Sequence, residues 1–81
     1  MNVNVTVYST GPECQKCKAT KRGLEKLGIP HVEKPVTEEI KALAQDRGLK
    51  MVAPIVHAVV GGEDRYWSDF RPDMIKSLTG D

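Results

Sequence analysis

An almost continuous apolar run at residues 55–60, Ile-Val-His-Ala-Val-Val, is the feature that most constrains the fold. Such a run is short for a helix and suits a strand that is covered on both faces. Gly61 and Gly62 follow directly and predict a tight turn into a further strand at Arg65-Tyr66-Trp67. We therefore expect a sheet that contains an antiparallel hairpin and carries packed elements on both faces.

The first part of the chain predicts a strand, a helix and a second strand. Valine occupies every second position of residues 3–7, which is the pattern of a strand. After a break at residues 9–12, buried-type residues recur at helical spacing from Gln15 until Gly28, where the helix should stop. Residues 31–36, bracketed by prolines, suit a short second strand. Two strands joined by a helix form a right-handed parallel unit.

Two more helices complete the predicted order. Thr37 is suited to cap a helix whose first turn carries Glu38 and Glu39 and which Gly48 closes. Pro72 suits the first turn of a last helix. The order β-α-β-α-β-β-α predicts an α/β fold, a mixed four-stranded sheet flanked by three helices. A chain of 81 residues is too short for two domains, so residues 1–81 should form one.

The charge balance and hydropathy disfavour several classes of partner. Twelve Lys and Arg against eleven Asp and Glu leave a net charge of +1, which gives no general attraction to nucleic acid or to an anionic membrane. No apolar run approaches the roughly 18 residues of a membrane span. The first residues lack the basic and apolar parts of a signal peptide. We therefore expect a cytoplasmic protein with no nucleic-acid and no membrane partner.

The chain's two cysteines, Cys14 and Cys17, lie between the first strand and the first helix. Their spacing places both side chains on one helix face, about one turn apart, which is within reach of a disulfide. A helix N-terminus favours a thiolate, so Cys14 should have the lower pKa and be the nucleophile, and Cys17 the resolving thiol. Lys16 and Lys18 favour the anion, whereas Glu13 opposes it. We expect reversible redox chemistry at this pair.

Two other uses of the cysteine pair are less well supported. A purely structural disulfide would close a loop of about four residues and contribute only about 2 kcal/mol, against about 4 to 5 kcal/mol for a long loop. Zinc requires four ligands, and the remaining candidates, His31 and His57, lack the spacing of a Cys/His site. We therefore expect no metal and no bound cofactor. His57 is interpreted as an ordinary sheet residue with a satisfied ring.

Three segments resemble the NrdH redoxins, which are glutaredoxin-like proteins with thioredoxin-like behaviour. The segments are Val7-Tyr8-Ser9 leading to Pro12-x-Cys14-x-x-Cys17, then Ala53-Pro54-Ile55-Val56, and finally Trp67-Ser68-Asp69-Phe70-Arg71-Pro72-Asp73-Met74-Ile75. Cys-x-x-Cys alone indicates only thiol redox chemistry. The run that starts at Trp67 is much more particular to this group, and the resemblance spans nearly the whole chain.

The resemblance implies a thioredoxin fold and electron donation to the large subunit of class Ib ribonucleotide reductase. Thioredoxin reductase, using NADPH, is then the source of electrons, and the carrier is expected to be a monomer. Cys14 attacks the partner's disulfide and Cys17 resolves the mixed disulfide. The resemblance also implies a cis-proline at Pro54 that faces the cysteine pair. The expected partner-binding residues are Gln15, Lys16, Val52, Ala53, Pro54 and Trp67.

The chain departs from the family pattern at two places. The residues between the cysteines are Gln15 and Lys16, where the family usually has an apolar residue followed by Gln. Lys16 should favour the thiolate, and hence a somewhat more oxidising potential. Asp69 stands where the family commonly has Gly. If this position needs a positive φ, Asp accepts it less readily than Gly but more readily than most residues.

Two further features have both an ordinary and a functional interpretation. Trp67 and Phe70 should pin the last helix to the sheet; in the alternative, Trp67 is partly exposed near the cysteines and docks a partner. The first helix and its start carry five basic and two acidic residues between positions 13 and 26. This is a solvated face in which Lys21 pairs with Glu25, or a surface that steers an acidic partner and makes association sensitive to salt.

Two other functions stay open. The first is a glutaredoxin that is reduced by glutathione. Glutathione sites typically have Pro-Tyr between the cysteines, where this chain has Gln15-Lys16, but Asp69 supplies the acidic residue that such sites use after the last strand. The second is a non-catalytic interaction module with the same fold, in which Cys14 and Cys17 are dispensable.

Overall fold

The computed structural model describes residues 3–79 and follows the predicted order of elements. The elements are β1 (Val3–Ser9), α1 (Gln15–Lys26), β2 (His31–Pro35), α2 (Glu38–Asp46), β3 (Ile55–Val60), β4 (Glu63–Ser68) and α3 (Pro72–Ser77). Within residues 3–79, no helix is long and apolar enough to cross a membrane.

The strands form a mixed four-stranded sheet in the order β2-β1-β3-β4. β1 and β2 are parallel, with Val7 opposite Glu33, and β3 runs antiparallel to β1, with Val56 opposite Val7. β3 and β4 form the predicted antiparallel hairpin. Its turn residues Gly61 and Gly62 have φ values of 56° and 87°, a backbone that glycine adopts without steric cost. The apolar run at residues 55–60 is therefore an inner strand, as its composition indicated.

One face of the sheet packs against α1 and α3 and holds the main hydrophobic core. Side chains from the two inner strands, such as Val7 and Val56, are completely buried. Leu24 from α1 and Leu78, which follows α3, cover them and are themselves 0% and 1% exposed. Removing these large apolar side chains from water is the main stabilising term in so small a domain.

The opposite face of the sheet carries α2. Neighbouring residues of a strand point to opposite faces, so Tyr66 lies on the other side of the sheet from its core-facing neighbour in β4. The guanidinium carbon of Arg47, at the end of α2, lies 3.9 Å from the centre of the Tyr66 ring. On the other side of this ring His57 stacks at 4.4 Å, and its Nε2 lies 2.8 Å from Asp64 Oδ1. His57 is thus a satisfied sheet residue, which confirms its interpretation from the sequence.

Glu33 in β2 connects the sheet to α1. Its carboxylate accepts a hydrogen bond from Ser9 Oγ at 2.6 Å and contacts Lys21 Nζ at 2.9 Å. The hydrogen bond from Ser9 is the main cause that holds the pKa of Glu33 below its ordinary value, and Lys21 adds to it. The expected pair between Lys21 and Glu25 is wrong, because β2 places a carboxylate closer to Lys21 than its own helix does. This contact links β2 to the helix that begins at the cysteines.

Candidate active site

Cys14 and Cys17 lie at the start of α1, immediately after the loop that follows β1. They are joined by a disulfide with a Cα–Cα distance of 5.2 Å, which is an ordinary span for such a bond. Cys14 is the N-cap residue of the helix, and its sulfur accepts a hydrogen bond from the backbone N–H of Cys17 at 3.2 Å. A backbone donor at a helix N-terminus is the environment that stabilises a thiolate.

The two sulfur-bearing residues differ in their access to solvent. Cys14 is half-buried, whereas Cys17 is 1% exposed and lies on the buried side of α1. A partner's disulfide can therefore approach Cys14 from outside, while Cys17 is placed to react with Cys14 from within. This asymmetry fits the predicted roles of an attacking and a resolving thiol.

The loop before Cys14 is held by its backbone. The N–H of Cys14 donates to the carbonyl of Gly11 at 3.2 Å, and Gly11 has a φ of 139°. This φ lies in a region that side-chain-bearing residues rarely adopt, so glycine is required at the bend. The bend turns the chain from the end of β1 into the helix and leaves Cys14 at the surface.

The segment before β3 lies beside this loop. The peptide bond between Ala53 and Pro54 is cis, as the resemblance implied. Val52 and Ala53 are half-buried and line a small cavity together with Thr10, which also lines a cavity with Cys14. The structure thus brings Val52, Ala53 and Cys14 to the same region of the surface. Pro54 itself is buried.

Asp69 contacts both Lys16, which lies between the two cysteines, and the segment that contains the cis-proline. Its N–H donates to the carbonyl of Pro54 at 2.9 Å and, more weakly, to that of Val52 at 3.3 Å. Its carboxylate oxygen Oδ1 lies 2.9 Å from Lys16 Nζ. The sequence indicated both Lys16 and Asp69 as departures from the family pattern, but gave no signal that they touch. Gln15 lies next to Lys16 and is exposed.

The hydrogen bond from Lys16 is the main cause that holds the pKa of Asp69 below its ordinary value, and the backbone N–H of Phe70 adds to it. Asp69 also has a φ of 71°. The position does adopt the positive φ that glycine would occupy most easily, and the aspartate accepts it.

The two aromatic residues near the end of the chain, both of which were expected to pack, differ in their burial. Trp67 is 2% exposed and lies in the core, so it packs the sheet, and the alternative of a partly exposed Trp67 beside the cysteines is wrong. Its position in β4 directs the ring to the face covered by α1 and α3. Phe70 is 38% exposed, so the expectation that it packs beneath the last helix is wrong. Phe70 was not predicted as a surface residue, although it directly follows the turn residue Asp69.

A cavity of about 630 Å³ lies between the loop that precedes Cys14 and residues of α1, β2 and α2. Thr10, Gly11 and Pro12 line both this cavity and the smaller one at Cys14. Its charged lining consists of four lysines and one glutamate: Lys18, Lys21, Lys34, Lys41 and Glu33. Lys34 and Lys41 come from outside α1, so the positive surface is broader than the helix charges predicted.

Within residues 3–79, no three His, Cys, Asp or Glu side chains are grouped to hold a metal ion. The reactive groups that the site presents are the two sulfurs of Cys14 and Cys17. A solvent-accessible sulfur at a helix N-terminus, joined to a buried one, can exchange a disulfide with another molecule. The protein is accordingly a thiol-disulfide oxidoreductase with a thioredoxin-like fold.

Comparison with known proteins identifies the family of thiol-disulfide oxidoreductases to which the chain belongs. Residues 5–56 match the family model named Glutaredoxin. The chain is also 38% identical over 80 residues to the glutaredoxin-like protein NrdH of Escherichia coli K12. This alignment covers 94% of this chain and 89% of the relative. The chain belongs to the glutaredoxin-like NrdH redoxins. Its NrdH relative in Salmonella typhimurium is 33% identical over 78 residues, with the same coverage. The solved structure of NrdH-redoxin from Escherichia coli, described as having a thioredoxin-like activity profile, has a TM-score of 0.70, 34% identity and 93% coverage of both chains.

Proposed function

We propose that this protein is a dithiol electron donor for the large subunit of class Ib ribonucleotide reductase, and that thioredoxin reductase regenerates it with electrons from NADPH. The observation that carries the proposal is the asymmetric pair of a half-buried Cys14 and a buried Cys17, set in a chain of the NrdH family. The electrons reside on these two sulfurs, without a bound cofactor. The compartment we propose is the cytoplasm, where thiols are kept reduced, and the working form is a monomer.

The proposed reaction has two steps. The Cys14 thiolate attacks one sulfur of the partner's disulfide, which breaks and leaves the other partner sulfur as a thiolate that takes up a proton. Cys17 then loses its proton and attacks the Cys14 sulfur, which releases the second partner sulfur. The partner gains two electrons and two protons, and the protein is left with the disulfide seen here. The dithiol of thioredoxin reductase reverses this oxidation.

The surroundings of Asp69 favour thioredoxin reductase over glutathione as the reductant. A glutathione site needs an acidic side chain free to receive the ligand, and the carboxylate of Asp69 is already in contact with Lys16 and the N–H of Phe70. Binding a ligand ammonium there requires breaking an existing ion pair. Gln15 and Lys16 also replace the dipeptide typical of such sites.

The decisive experiment follows NADPH oxidation with the same disulfide substrate in two reducing systems. We expect turnover when the protein is supplied with thioredoxin reductase, and little or none with glutathione and glutathione reductase. The final acceptor should be the isolated large subunit of a class Ib ribonucleotide reductase, with a class Ia large subunit as the control. Turnover in the glutathione system alone, or an equal rate with both subunits, contradicts the proposal.

The lysine-lined cavity beside Cys14 supports docking of an acidic partner segment. Lys21 already pairs with Glu33, whereas Lys18 and Lys34, which also line the cavity, contact no carboxylate side chain among the described residues. Lys41 lies 3.5 Å from the exposed Glu38, a contact that contributes little. Since the cavity and the site of Cys14 share three lining residues, an acidic segment next to the partner's reactive cysteine can bind here.

We expect Lys34→Glu to slow association with the partner without altering the chemical step. Reversing one charge in a steering surface lowers the on-rate, and the loss should shrink as salt rises from about 0.1 M to about 1 M. The measurement is kcat/KM for the partner as a function of ionic strength. Lys76→Glu is the matched control, because Lys76 is exposed in α3 and does not line the cavity. An equal effect of the two variants means that net charge alone is responsible and the cavity is not the docking site.

A further inference from the structure

The ion pair between Lys16 and Asp69 joins two parts of the active site that are distant in sequence. Lys16 lies between the cysteines, and Asp69 lies in the turn after β4. Lys16 Nζ and Asp69 Oδ1 are 2.9 Å apart, with side chains 53% and 28% exposed. These are also the positions where the sequence departs from the family pattern by gaining a charge. The two added charges therefore face each other.

The carboxylate of Asp69 is held in place by the backbone around it. Its N–H is bound to the carbonyl of Pro54, and its Oδ1 accepts the N–H of Phe70 at 2.7 Å. Because these contacts belong to the main chain, the carboxylate is better fixed than the long, exposed lysine side chain that it meets. The carboxylate is ionised at neutral pH, as an ordinary aspartate is, and its contacts with Lys16 and the N–H of Phe70 hold its pKa lower still. The position of the ammonium is thus set by Asp69 and not the reverse.

We propose that Asp69 is a positioning residue for Lys16: it draws the ammonium toward the turn after β4 and offsets its charge, so that Lys16 stabilises the Cys14 thiolate much less than the sequence alone predicts. This inference rests on the proposed role of Cys14 as the nucleophile. The sequence alone predicted that Lys16 favours the Cys14 thiolate. Because its positive charge is paired with the negative charge of Asp69, this effect should be much smaller. The reactivity of Cys14 is then governed mainly by the helix N-terminus and the N–H of Cys17.

The charged groups around this end of the helix define the electrostatic balance. Glu13, Lys16 and Lys18 belong to α1 or the loop before it, and Asp69 and Lys50 belong to the facing loops. Removing either member of the ion pair leaves the other uncompensated near Cys14. Asp69→Asn should lower the pKa of Cys14, and Lys16→Gln should raise it, each by about half a pH unit for exposed charges in water. The double variant should return close to the parent protein.

These substitutions are chosen to leave the backbone unchanged. Asparagine accepts the positive φ of position 69 as readily as aspartate, and its amide oxygen can still accept the N–H of Phe70. Lys26→Gln serves as the matched control for the loss of a positive charge. Lys26 is at the other end of α1, ten residues from Lys16 and so about 15 Å along the helix. It should shift the pKa of Cys14 much less.

The test measures the rate of alkylation of Cys14 in the reduced full-length proteins as a function of pH, with mass spectrometry to identify the modified residue. We expect opposite shifts in the two single variants, cancellation in the double variant, and smaller shifts at about 1 M salt. The reduction potential should follow: more oxidising in Asp69→Asn and more reducing in Lys16→Gln, because a stabilised thiolate stabilises the reduced form. A merely structural ion pair changes the melting temperature and does not produce shifts of opposite sign.

The outcomes separate this inference from the proposed function. If Cys14 titrates as the reactive thiol but the single variants leave its pKa unchanged, or move it in the same direction, the role assigned to Asp69 is wrong and the electron-donor function stands. If alkylation at neutral pH falls on Cys17 instead of Cys14, the proposed mechanism itself is wrong.

Discussion

Cys14→Ser is expected to lose all turnover with thioredoxin reductase and with the disulfide substrate, while the fold is retained. Cys14 is half-buried at the helix start, and serine is close to it in size, so the substitution removes the nucleophile and little packing. NADPH oxidation should fall to the background rate of the assay. Circular dichroism and thermal melting of the variant, compared with the reduced parent, check that the loss is chemical.

Cys17→Ser should behave differently, because the first step of the reaction survives. Cys14 still attacks the partner's disulfide, but a serine hydroxyl cannot resolve the product, so a mixed disulfide accumulates. Non-reducing electrophoresis and mass spectrometry should find it between Cys14 and a partner cysteine. Since Cys17 is 1% exposed and a buried hydroxyl carries a cost, Cys17→Ala is the second variant that separates trapping from instability. Full biological effect in the Cys14→Ser protein contradicts the redox proposal and favours a non-catalytic interaction module.

Trp67→Ala is expected to destabilise the protein by about 3 to 5 kcal/mol. The side chain is 2% exposed within the cluster formed by β1, β3, α1 and α3, and truncation leaves a cavity that the two helices cannot close completely. A domain of this size has only about 5 to 15 kcal/mol of total stability, so the melting temperature should fall by more than about 12 °C. Urea denaturation followed by circular dichroism gives the free energy of unfolding.

Phe70→Ala is the matched aromatic control for this prediction. Because Phe70 is 38% exposed and follows the turn that binds the cis-proline segment, its loss should change stability by less than about 1 kcal/mol. A larger effect on KM for thioredoxin reductase than on melting would indicate a docking role for Phe70. Trp67→Phe should be milder than Trp67→Ala, since Trp67 Nε1 has no hydrogen-bond partner to lose among the described residues. If Trp67→Ala melts like the parent, the packing role of Trp67 is wrong.

The order of elements could be predicted because it depends on local patterns. The alternation at residues 3–7, the capping residue Thr37 and the turn at Gly61-Gly62 act within a few positions of the chain, and each produced the expected element. The position of the cysteine pair at a helix start was predictable for the same reason. The resemblance added the family and the cis bond before Pro54, neither of which periodicity indicates.

The contacts of the site could not be predicted in this way. Trp67 is buried, as its ordinary interpretation predicted, but the exposure of Phe70 depends on where the chain turns after β4. Both are aromatic residues near the same helix, and composition does not distinguish them. Lys21 paired with Glu33 instead of with Glu25, because a neighbouring strand brought a carboxylate that is distant in sequence.

The sequence by itself determined the strands and helices, the single Cys-x-x-Cys motif and its place at a helix N-terminus, because these follow from spacing, capping and side-chain type along the chain. Only the tertiary structure decided how charge is arranged around that motif. The order β2-β1-β3-β4 places the turn after β4 against the start of α1, so that Asp69 meets Lys16, and it gathers lysines from three elements beside Cys14. Electrostatic forces act through space and fall off with distance, so the reactivity of Cys14 depends on neighbours that the chain order does not reveal.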